Sequence, residues 1–301
     1  MKNWHHTTRP IALALLLTAA RGLAGTPDLS PSPAAPTADN LTLGNFFSEG
    51  WNRPFTMRSS LPDGAPDLPL FHVATNFLVR VTRTDYSFEN TLEKTGIKNF
   101  QFVDQYVDYA FNDRFMISLF GDYAWLNEKA SSNEDGAGGG VAGRFQLVST
   151  PTSSDALNFR VDVPNKSIGV HTTNLSATMA GWQDLSQLGA GRVGVYYGVT
   201  GEADAGISTP GAPKNDFDYD IALAKTWTKP TAPVADLTTF VEFSGGTNLD
   251  GKLRSLTVLT ATPAVQFIVG GHSLIMAGVD FPLTHPAAYR EVYRVTYVYL
   301  F

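Results

Sequence analysis

Residues 289–301, YREVYRVTYVYLF, alternate between two kinds of side chain. Every second position is aromatic or aliphatic, namely Tyr293, Val295, Tyr297, Tyr299 and Phe301. The positions between them include arginine and threonine, and a period of two is the signature of a strand whose two faces meet different environments. At the edge of a soluble sheet such a strand would invite aggregation. In a membrane barrel the aromatic face contacts lipid and the edge pairs with another strand. The pattern therefore predicts the closing strand of a transmembrane barrel.

From residue 70 onwards the chain is a series of similar alternating segments, beginning with a predicted first strand over residues 71–82. Short turn signals such as Asn112-Asp113-Arg114 alternate with longer polar stretches at 82–99, 127–139 and 201–215, which we expect to be loops. Long loops on one side and short turns on the other are typical of outer-membrane barrels, as is an even strand count. We therefore predict an all-β fold, a transmembrane antiparallel up-and-down β-barrel of about twelve strands. A soluble β-sandwich is the alternative.

The face opposite the apolar one carries many charges, which we expect to line the lumen. The predicted lumen-lining residues are Arg80, Asp104, Asp108, Asp122, Arg144, Arg160, Asp162, Arg192, Asp218, Asp220, Glu242, Asp280, Arg290 and Arg294. In one interpretation these charges pair across a narrow lumen and brace the wall. In the other they form a polar, water-filled pore whose transverse field orients solutes. The sequence leaves both interpretations open.

The N-terminal part of the sequence predicts export. Lys2 and Arg9 give a positively charged region before a short apolar run at 11–20, and small residues at 22 and 24 suit cleavage after Ala24. We predict a signal peptide over residues 1–24, a Pro/Ser/Ala-rich linker and periplasmic segment over 25–69, and the barrel over 70–301. Within this middle region, residues 41–69 either pack at the barrel mouth or form a plug or a docking site for a periplasmic partner.

Composition narrows the functions that remain. Charged residues are 17% of the chain, below the roughly one quarter of ordinary globular proteins. The net charge of −6 does not suggest a nucleic-acid partner, and the absence of cysteine excludes a disulfide. The sequence has no metal-spaced His/Cys cluster, and GAGGGVAGR at 136–144 lacks the Gly-Lys-Ser/Thr of a phosphate-binding loop. We read that glycine-rich stretch as a loop that enters a strand, and we expect no metal, no cofactor and no catalytic residue.

Several runs of the sequence resemble a known family. LFHVATNFLVRVTRTDY (70–86), VDYAFNDRFMISLFGDY (107–123) and PAVQFIVGGHSLIMAGVDFPL (263–283) are similar to bacterial outer-membrane transporter proteins related to the "MetA-pathway of phenol degradation" barrels. The resemblance implies a twelve-stranded barrel and uptake of aromatic or other apolar compounds, and it supplies no functional residue. The last strand resembles the C-terminal targeting strand of such barrels. Phe301, Tyr299 and Tyr297 are therefore predicted to signal to the barrel-assembly machinery, in the bacterial outer membrane.

Three functions follow from these observations. The first is a non-enzymatic outer-membrane channel or transporter for passive uptake of a small-molecule solute, with outer-membrane lipid as its surroundings. The second is a barrel-embedded lipid esterase that would use His171 and Thr173. The third is a structural or adhesion barrel that displays the loops at 82–99, 127–139 and 201–215.

Overall fold

The computed structural model describes residues 40–57, 61, 63–91, 97–128, 134–163, 173–189, 191–205, 215–229, 234–251, 255, 257–284 and 289–301. The predicted signal peptide lies outside the described residues, and so does His171. Residues 38–300 form one compact unit.

Twelve strands form a closed antiparallel barrel, in which each strand pairs with its neighbours in sequence. The strands are β1 (Arg80–Thr91), β2 (Ile97–Ala110), β3 (Phe115–Glu128), β4 (Glu134–Thr150), β5 (Ser153–Val163), β6 (Thr173–Asp184), β7 (Val193–Ala205), β8 (Asn215–Thr226), β9 (Val234–Asn248), β10 (Thr257–Val269), β11 (Ser273–Pro282) and β12 (Tyr289–Leu300). Single 3₁₀ turns occur at Leu43–Asn45 and Ser186–Leu188. The predicted fold class is confirmed.

The last strand closes the barrel by pairing with the first. The register between β1 and β12 runs from Val81 opposite Leu300 to Asn90 opposite Glu291. This pairing satisfies the edge that an aromatic strand would otherwise expose. We call the end where β1 begins and β12 stops the lower end of the barrel. No helix in the described part of the chain is long and apolar enough to cross a membrane.

The two faces of the wall differ as the alternation predicts. On β8, Phe217, Tyr219, Ile221 and Leu223 are exposed on the outside, whereas the residues between them are more buried. Large apolar side chains are exposed in the same way on the outer faces of other strands, among them Val107, Leu119, Phe159, Leu175, Val199, Phe243, Val295 and Tyr297. This outer surface is suited to contact with lipid acyl chains.

The predicted first strand is wrong over residues 71–79. β1 begins at Arg80 and continues to Thr91, and residues 70–79 lie inside the barrel. The alternation does continue into β1, but the face predicted to lie outside the barrel lies inside it, and the face predicted to line the lumen lies outside. Val79 and Val81 are buried inside, and Tyr86 is exposed outside. A period of two reports two environments, but it cannot distinguish lipid from a packed lumen.

The glycine-rich stretch at 136–144 is a second correction, because it belongs to β4 throughout and not to a loop. The glycines make room for side chains of β3 on the inner face. A Cβ at Gly138 would lie 2.7 Å from Oδ1 of Asp122, and one at Gly140 would overlap the ring of Phe120. The missing side chains therefore allow the two strands to pair closely while β3 carries larger groups.

The predicted loops are shorter than expected, because the strands on either side continue into the polar stretches. Strand pairing covers most of 82–99 and 127–139 and both ends of 201–215, and residues 92–96, 129–133 and 206–214 between the strands lie outside the described chain. The alternating apolar pattern stops where side chains on both faces become polar. The backbone hydrogen bonds between strands extend further, because strands can remain paired in water beyond the membrane.

The two faces can be tested with one charge placed at two adjacent positions of β7. Val199 is 45% exposed on the outside, whereas Thr200 faces the lumen opposite Asp218 of β8. We expect Val199→Arg to lower the free energy of unfolding in lipid vesicles by roughly 2–4 kcal/mol, the range for an arginine near the midplane. Thr200→Arg should lower it less, because the new cation lies beside carboxylates. A larger loss for Thr200→Arg would contradict the assigned faces.

Candidate functional site

Residues 63–79 enter the barrel from its lower end and are called the plug here. The phenol hydroxyl of Tyr196 on β7 donates to the carbonyl of Pro66 at 2.6 Å. The guanidinium of Arg144 on β4 donates to the carbonyl of Phe77 at 2.8 Å. Since β4 and β7 lie on different sides of the wall, these contacts place the plug across the lumen.

The plug completes an apolar core that fills the lower lumen. Its buried side chains are Ala65, Leu68, Leu70, Val73, Leu78 and Val79. They pack against the inner wall residues Ala110, Met116, Trp182, Tyr196, Ala222, Ala224, Phe240, Leu274, Met276 and Val298. All of these are at most 7% exposed, and burying each large apolar side chain contributes about 1.5–3 kcal/mol. Small wall residues such as Ala222 and Ala224 leave the space that the plug occupies.

At its highest point the plug binds a single carboxylate. The side chain of Glu242 on β9 is fully buried. It accepts hydrogen bonds from the backbone N–H groups of Phe71, His72 and Val73 at 2.8, 2.8 and 3.0 Å. Consecutive N–H groups that converge on one anion form a nest. Hydrogen bonds to a charged acceptor are stronger than those to a neutral one. Glu242 is therefore the main polar attachment of this part of the plug. We call Glu242 the latch.

On its return towards β1 the plug is held by a second polar contact. The Asn76 carbonyl accepts from Nε2 of Gln146 at 3.1 Å and from Oγ of Ser154 at 2.9 Å. Its side-chain amide donates to the Ser154 carbonyl at 3.2 Å. These groups lie on β4 and β5, whereas the latch lies on β9. The plug is thus fixed to two opposite parts of the wall.

Above the plug lies a cavity of about 590 Å³. Plug residues 70–75 form its floor, and side chains of β1 to β7 and β12 form its walls. Two ion pairs lie within single strands of the wall: Arg83 with Asp85 at 2.8 Å, and Arg160 with Asp162 at 2.5 Å. Aromatic rings also reach the cavity, from Phe71, Phe102, Tyr106 and Phe120. The lining therefore combines charged and aromatic contacts.

A third cluster joins the plug to the wall through Asp280 of β11. This buried carboxylate accepts from Arg294 at 2.7 Å and from the hydroxyl of Thr262 at 2.8 Å. It also lies 3.2 Å from Nε2 of His72 on the plug. His72 thus contacts a carboxylate through its ring while its backbone N–H is bound to Glu242. Both contacts of this residue attach the plug to the β9–β11 side.

The inner face of β7, β8 and β9 differs in charge from the rest of the wall. Among the described residues its charged side chains are all acidic: Glu202, Asp204, Asp216, Asp218, Asp220, Asp236 and Glu242. The inner arginines Arg83, Arg144, Arg160 and Arg294 lie on β1, β4, β5 and β12. The lumen therefore has an acidic wall that faces a mixed one, which creates a field across it.

Most of the predicted lumen residues lie on the inner face. The structure places these there: Asp104, Asp108, Asp122, Arg144, Arg160, Asp162, Asp218, Asp220, Glu242, Asp280 and Arg294. Of these, Glu242 and Asp280 bind the plug, and Asp104, Asp108, Arg144, Arg160, Asp162 and Arg294 line the cavity. Within the described residues no group of His, Cys, Asp and Glu could hold a metal ion.

Arg80 lies on the outer face and not in the lumen. Its guanidinium stacks over the rings of Phe55 and Tyr109 at 5.2 and 4.7 Å, and it pairs in register with Tyr109. The prediction was wrong because it extended the alternation of residues 71–79 into β1. The correct phase brings Arg83 and Asp85 into the lumen, and the sequence reading missed both. Both lie in the range 82–99, which was predicted to be a loop, although Arg83 and Asp85 already alternate there with Thr84 and Tyr86.

Two further arginines lie outside the cavity. Arg192 precedes β7 in a turn at the lower end, where it pairs with Asp236 at 2.7 Å and donates to the Gly64 carbonyl at 2.8 Å. Arg290 is exposed, where the pairing of β1 with β12 shifts register and skips this residue. Simple alternation fails at both places, since one is a turn and the other a bulge.

The residues of the predicted assembly signal lie at the closing strand. Tyr297 and Tyr299 are 42% and 36% exposed on the outer face of β12, and Phe301 is 48% exposed. Their recognition by the barrel-assembly machinery stays a prediction. In the esterase hypothesis His171 lies outside the described residues, so that alternative also stays a prediction.

No protein-family model and no curated protein matches the chain. Solved structures of bacterial outer-membrane channels share its fold. The COG4313 outer membrane channel from Pseudomonas putida F1 aligns with a TM-score of 0.58 and 8% identity, over 77% of this chain and 99% of the other. The KdgM porin aligns with a TM-score of 0.50 and 11% identity, over 73% and 99%. The likeness is one of fold, and the predicted location in the bacterial outer membrane agrees with it.

The latch can be tested by amide hydrogen exchange. Glu242→Gln removes the charge that three backbone N–H groups share. We expect exchange at Phe71, His72 and Val73 to accelerate tenfold or more, because a hydrogen bond to a charged group is worth about 1.5–3 kcal/mol and 1.4 kcal/mol is tenfold. Asp218→Asn, higher on the acidic wall, is the matched control and should leave these amides unchanged. Equal protection in both variants would show that Glu242 does not hold the plug.

Proposed function

We propose that this protein is an outer-membrane channel for passive uptake of small compounds, closed from the periplasmic side by its plug. The observation that carries the proposal is the cavity of about 590 Å³ whose floor is the plug. With the barrel in the usual orientation, the lower end, where β1 begins and β12 stops, faces the periplasm. A solute would enter the cavity from outside and reach the plug before it could pass.

The way in which the plug is held supports a gate. Residues 63–79 are not part of the sheet, so their displacement would leave the ladder of the barrel intact. The plug's polar attachments are hydrogen bonds to single side chains of the wall, among them the latch at Glu242, the contact at Asn76, the cluster at Asp280 and the bonds that Tyr196 and Arg144 donate. Displacement would break those bonds and expose the lower core. The closed form therefore predominates, and opening is a rare population shift.

The charge of the lumen supports a preference among solutes. The acidic wall of β7 to β9 raises the local concentration of cations and lowers that of anions. The aromatic rings at the cavity can contact a planar or apolar part of the same molecule, and a cation over such a ring gains about 0.5–2 kcal/mol. We therefore propose small, positively charged or zwitterionic compounds with an aromatic or apolar part as the preferred solutes.

A reversible cross-link tests whether the plug is the gate. A Cβ at Gly198 on β7 would meet Cγ1 of Val73 at 3.9 Å and nothing closer than 3.7 Å. The variant Val73→Cys/Gly198→Cys should thus form a disulfide, and the chain has no other cysteine. In planar bilayers we expect Glu242→Gln to open more often than wild type. Oxidised Val73→Cys/Gly198→Cys in the Glu242→Gln background should stay closed until it is reduced.

Controls test separately whether the plug is the gate and whether the protein is a channel. Gly198→Cys alone should conduct like its parent under oxidising and reducing conditions. If the oxidised double-cysteine variant conducts as well as the reduced one, the plug is not the gate. If no variant passes ions or solute although the barrel is folded, the protein is not a channel.

The ion preference follows from the acidic wall. We expect open channels to prefer potassium over chloride, as measured by the reversal potential in a salt gradient. Asp218→Asn/Asp220→Asn should reduce this preference, whereas Tyr219→Phe, on the outer face of the same strand, should not. A reversal potential unchanged by the double substitution would show that this wall does not select ions.

A further inference from the structure

Residues 41–57, which precede the plug, clasp the barrel at its lower end and are called the foot here. Leu41 forms an antiparallel bridge with Ser149 at the end of β4, with N–O distances of 3.1 and 2.9 Å. Pro54 forms a second bridge with Asn112 in the turn between β2 and β3. The foot is thus attached at both ends to one sector of the rim, around β2 to β4.

A buried arginine fixes the middle of the foot. Arg114, in the turn before β3, is fully buried. Its guanidinium donates to the carbonyls of Glu49, Gln146, Leu147 and Thr42 at 2.9, 2.9, 3.0 and 3.3 Å, and to Oδ1 of Asn45 at 2.7 Å. Three of these acceptors belong to the foot and two to β4. The foot is therefore hydrogen-bonded to the wall through its middle as well as at its two ends.

Aromatic rings of the foot continue the aromatic surface of the outer wall. The ring of Trp51 lies 6.3 Å from that of Phe145 on β4. Phe145 in turn contacts Phe115 of β3 and Phe159 of β5 at 5.1 and 6.3 Å. Phe159 is 48% exposed on the face that meets lipid. The outer aromatic surface therefore passes from the strands onto the foot without interruption.

The far end of this aromatic row is unusually exposed. Phe46 packs against Trp51 at 5.5 Å and against Phe47 at 5.1 Å. Phe47 is 93% exposed, and Leu43 in the same turn is 65% exposed. The charged pair of the foot, Glu49 and Arg53, is neutralised by an ion pair at 2.6 Å. A surface that has no net charge, is rich in apolar side chains and is continuous with a lipid-facing wall suits the membrane interface, where aromatic anchors concentrate.

We propose that the foot lies in the periplasmic leaflet, with Phe47 and Leu43 inserted among the lipids at the boundary of headgroups and acyl chains. The partner is the lipid surface and not a periplasmic protein, because the foot is joined to the lipid-facing wall by the row of rings. Five residues, 58–62, separate the foot from the plug in sequence. Insertion of the foot would therefore fix the outer end of the plug against the membrane.

The chain has no cysteine, so single cysteines can report on their surroundings. Phe47→Cys and Leu43→Cys would be labelled with a nitroxide in barrels refolded into phosphatidylethanolamine/phosphatidylglycerol vesicles. Collisions of the label with oxygen, which partitions into lipid, are compared with collisions with a water-soluble nickel chelate. Phe159→Cys is the lipid reference. Asp63→Cys, whose native side chain is 88% exposed at the entry to the plug, is the water reference.

We expect the oxygen-to-nickel ratio at positions 47 and 43 to be several-fold above that at 63 and close to that at 159. Heat-modifiable migration on gels confirms that each variant is a folded barrel, which a substitution at so exposed a side chain as Phe47 should not prevent. A ratio at 47 and 43 equal to that at 63 would overturn the proposal. Since the vesicles contain no other protein, that outcome would make a protein partner the better occupant of this surface.

Discussion

Everything in this structure depends on the closure of one sheet on itself. Once β1 pairs with β12, no edge remains, and each strand finds its backbone partners on both sides. Closure also creates an interior that the strands alone do not fill. The outer face can be uniformly apolar because lipid covers it. The inner face must instead satisfy charges, exclude voids and still leave room for a solute.

The chain solves these demands differently in the two parts of the lumen. At the lower end the wall carries small or apolar residues, and the plug supplies the missing volume. Higher up, the wall carries charges, and two ion pairs, Arg83 with Asp85 and Arg160 with Asp162, each lie within one strand. Short-range pairing of this kind leaves the middle of the lumen open. Of the two interpretations that the sequence left open, bracing by charges paired across the lumen does not describe these two pairs, and the water-filled pore stays a proposal.

Much of the fold could be predicted because each strand separates two environments. The alternation on β8, with Tyr219 outside and Asp218 inside, is enough to assign both faces. It fails where the backbone leaves that geometry. Residues 71–79 alternate although they lie inside, since a plug between two walls also has two sides. Arg290 lies in a bulge, Arg192 in a turn, and the glycines of β4 have no side chain to report a face. The latch was beyond prediction for a different reason: Glu242 was assigned to the lumen, but its partners are backbone N–H groups, which carry no sequence signal.

The latch also bears on the order of assembly. Phe71 and Glu242 are separated by 171 residues, so the plug has no anion to bind until β9 is in place. The plug, which precedes β1 in sequence, thus completes its contacts only after most of the wall has formed. Sealing of the lumen is therefore coupled to completion of the wall, because the carboxylate that holds the plug lies on the ninth of twelve strands.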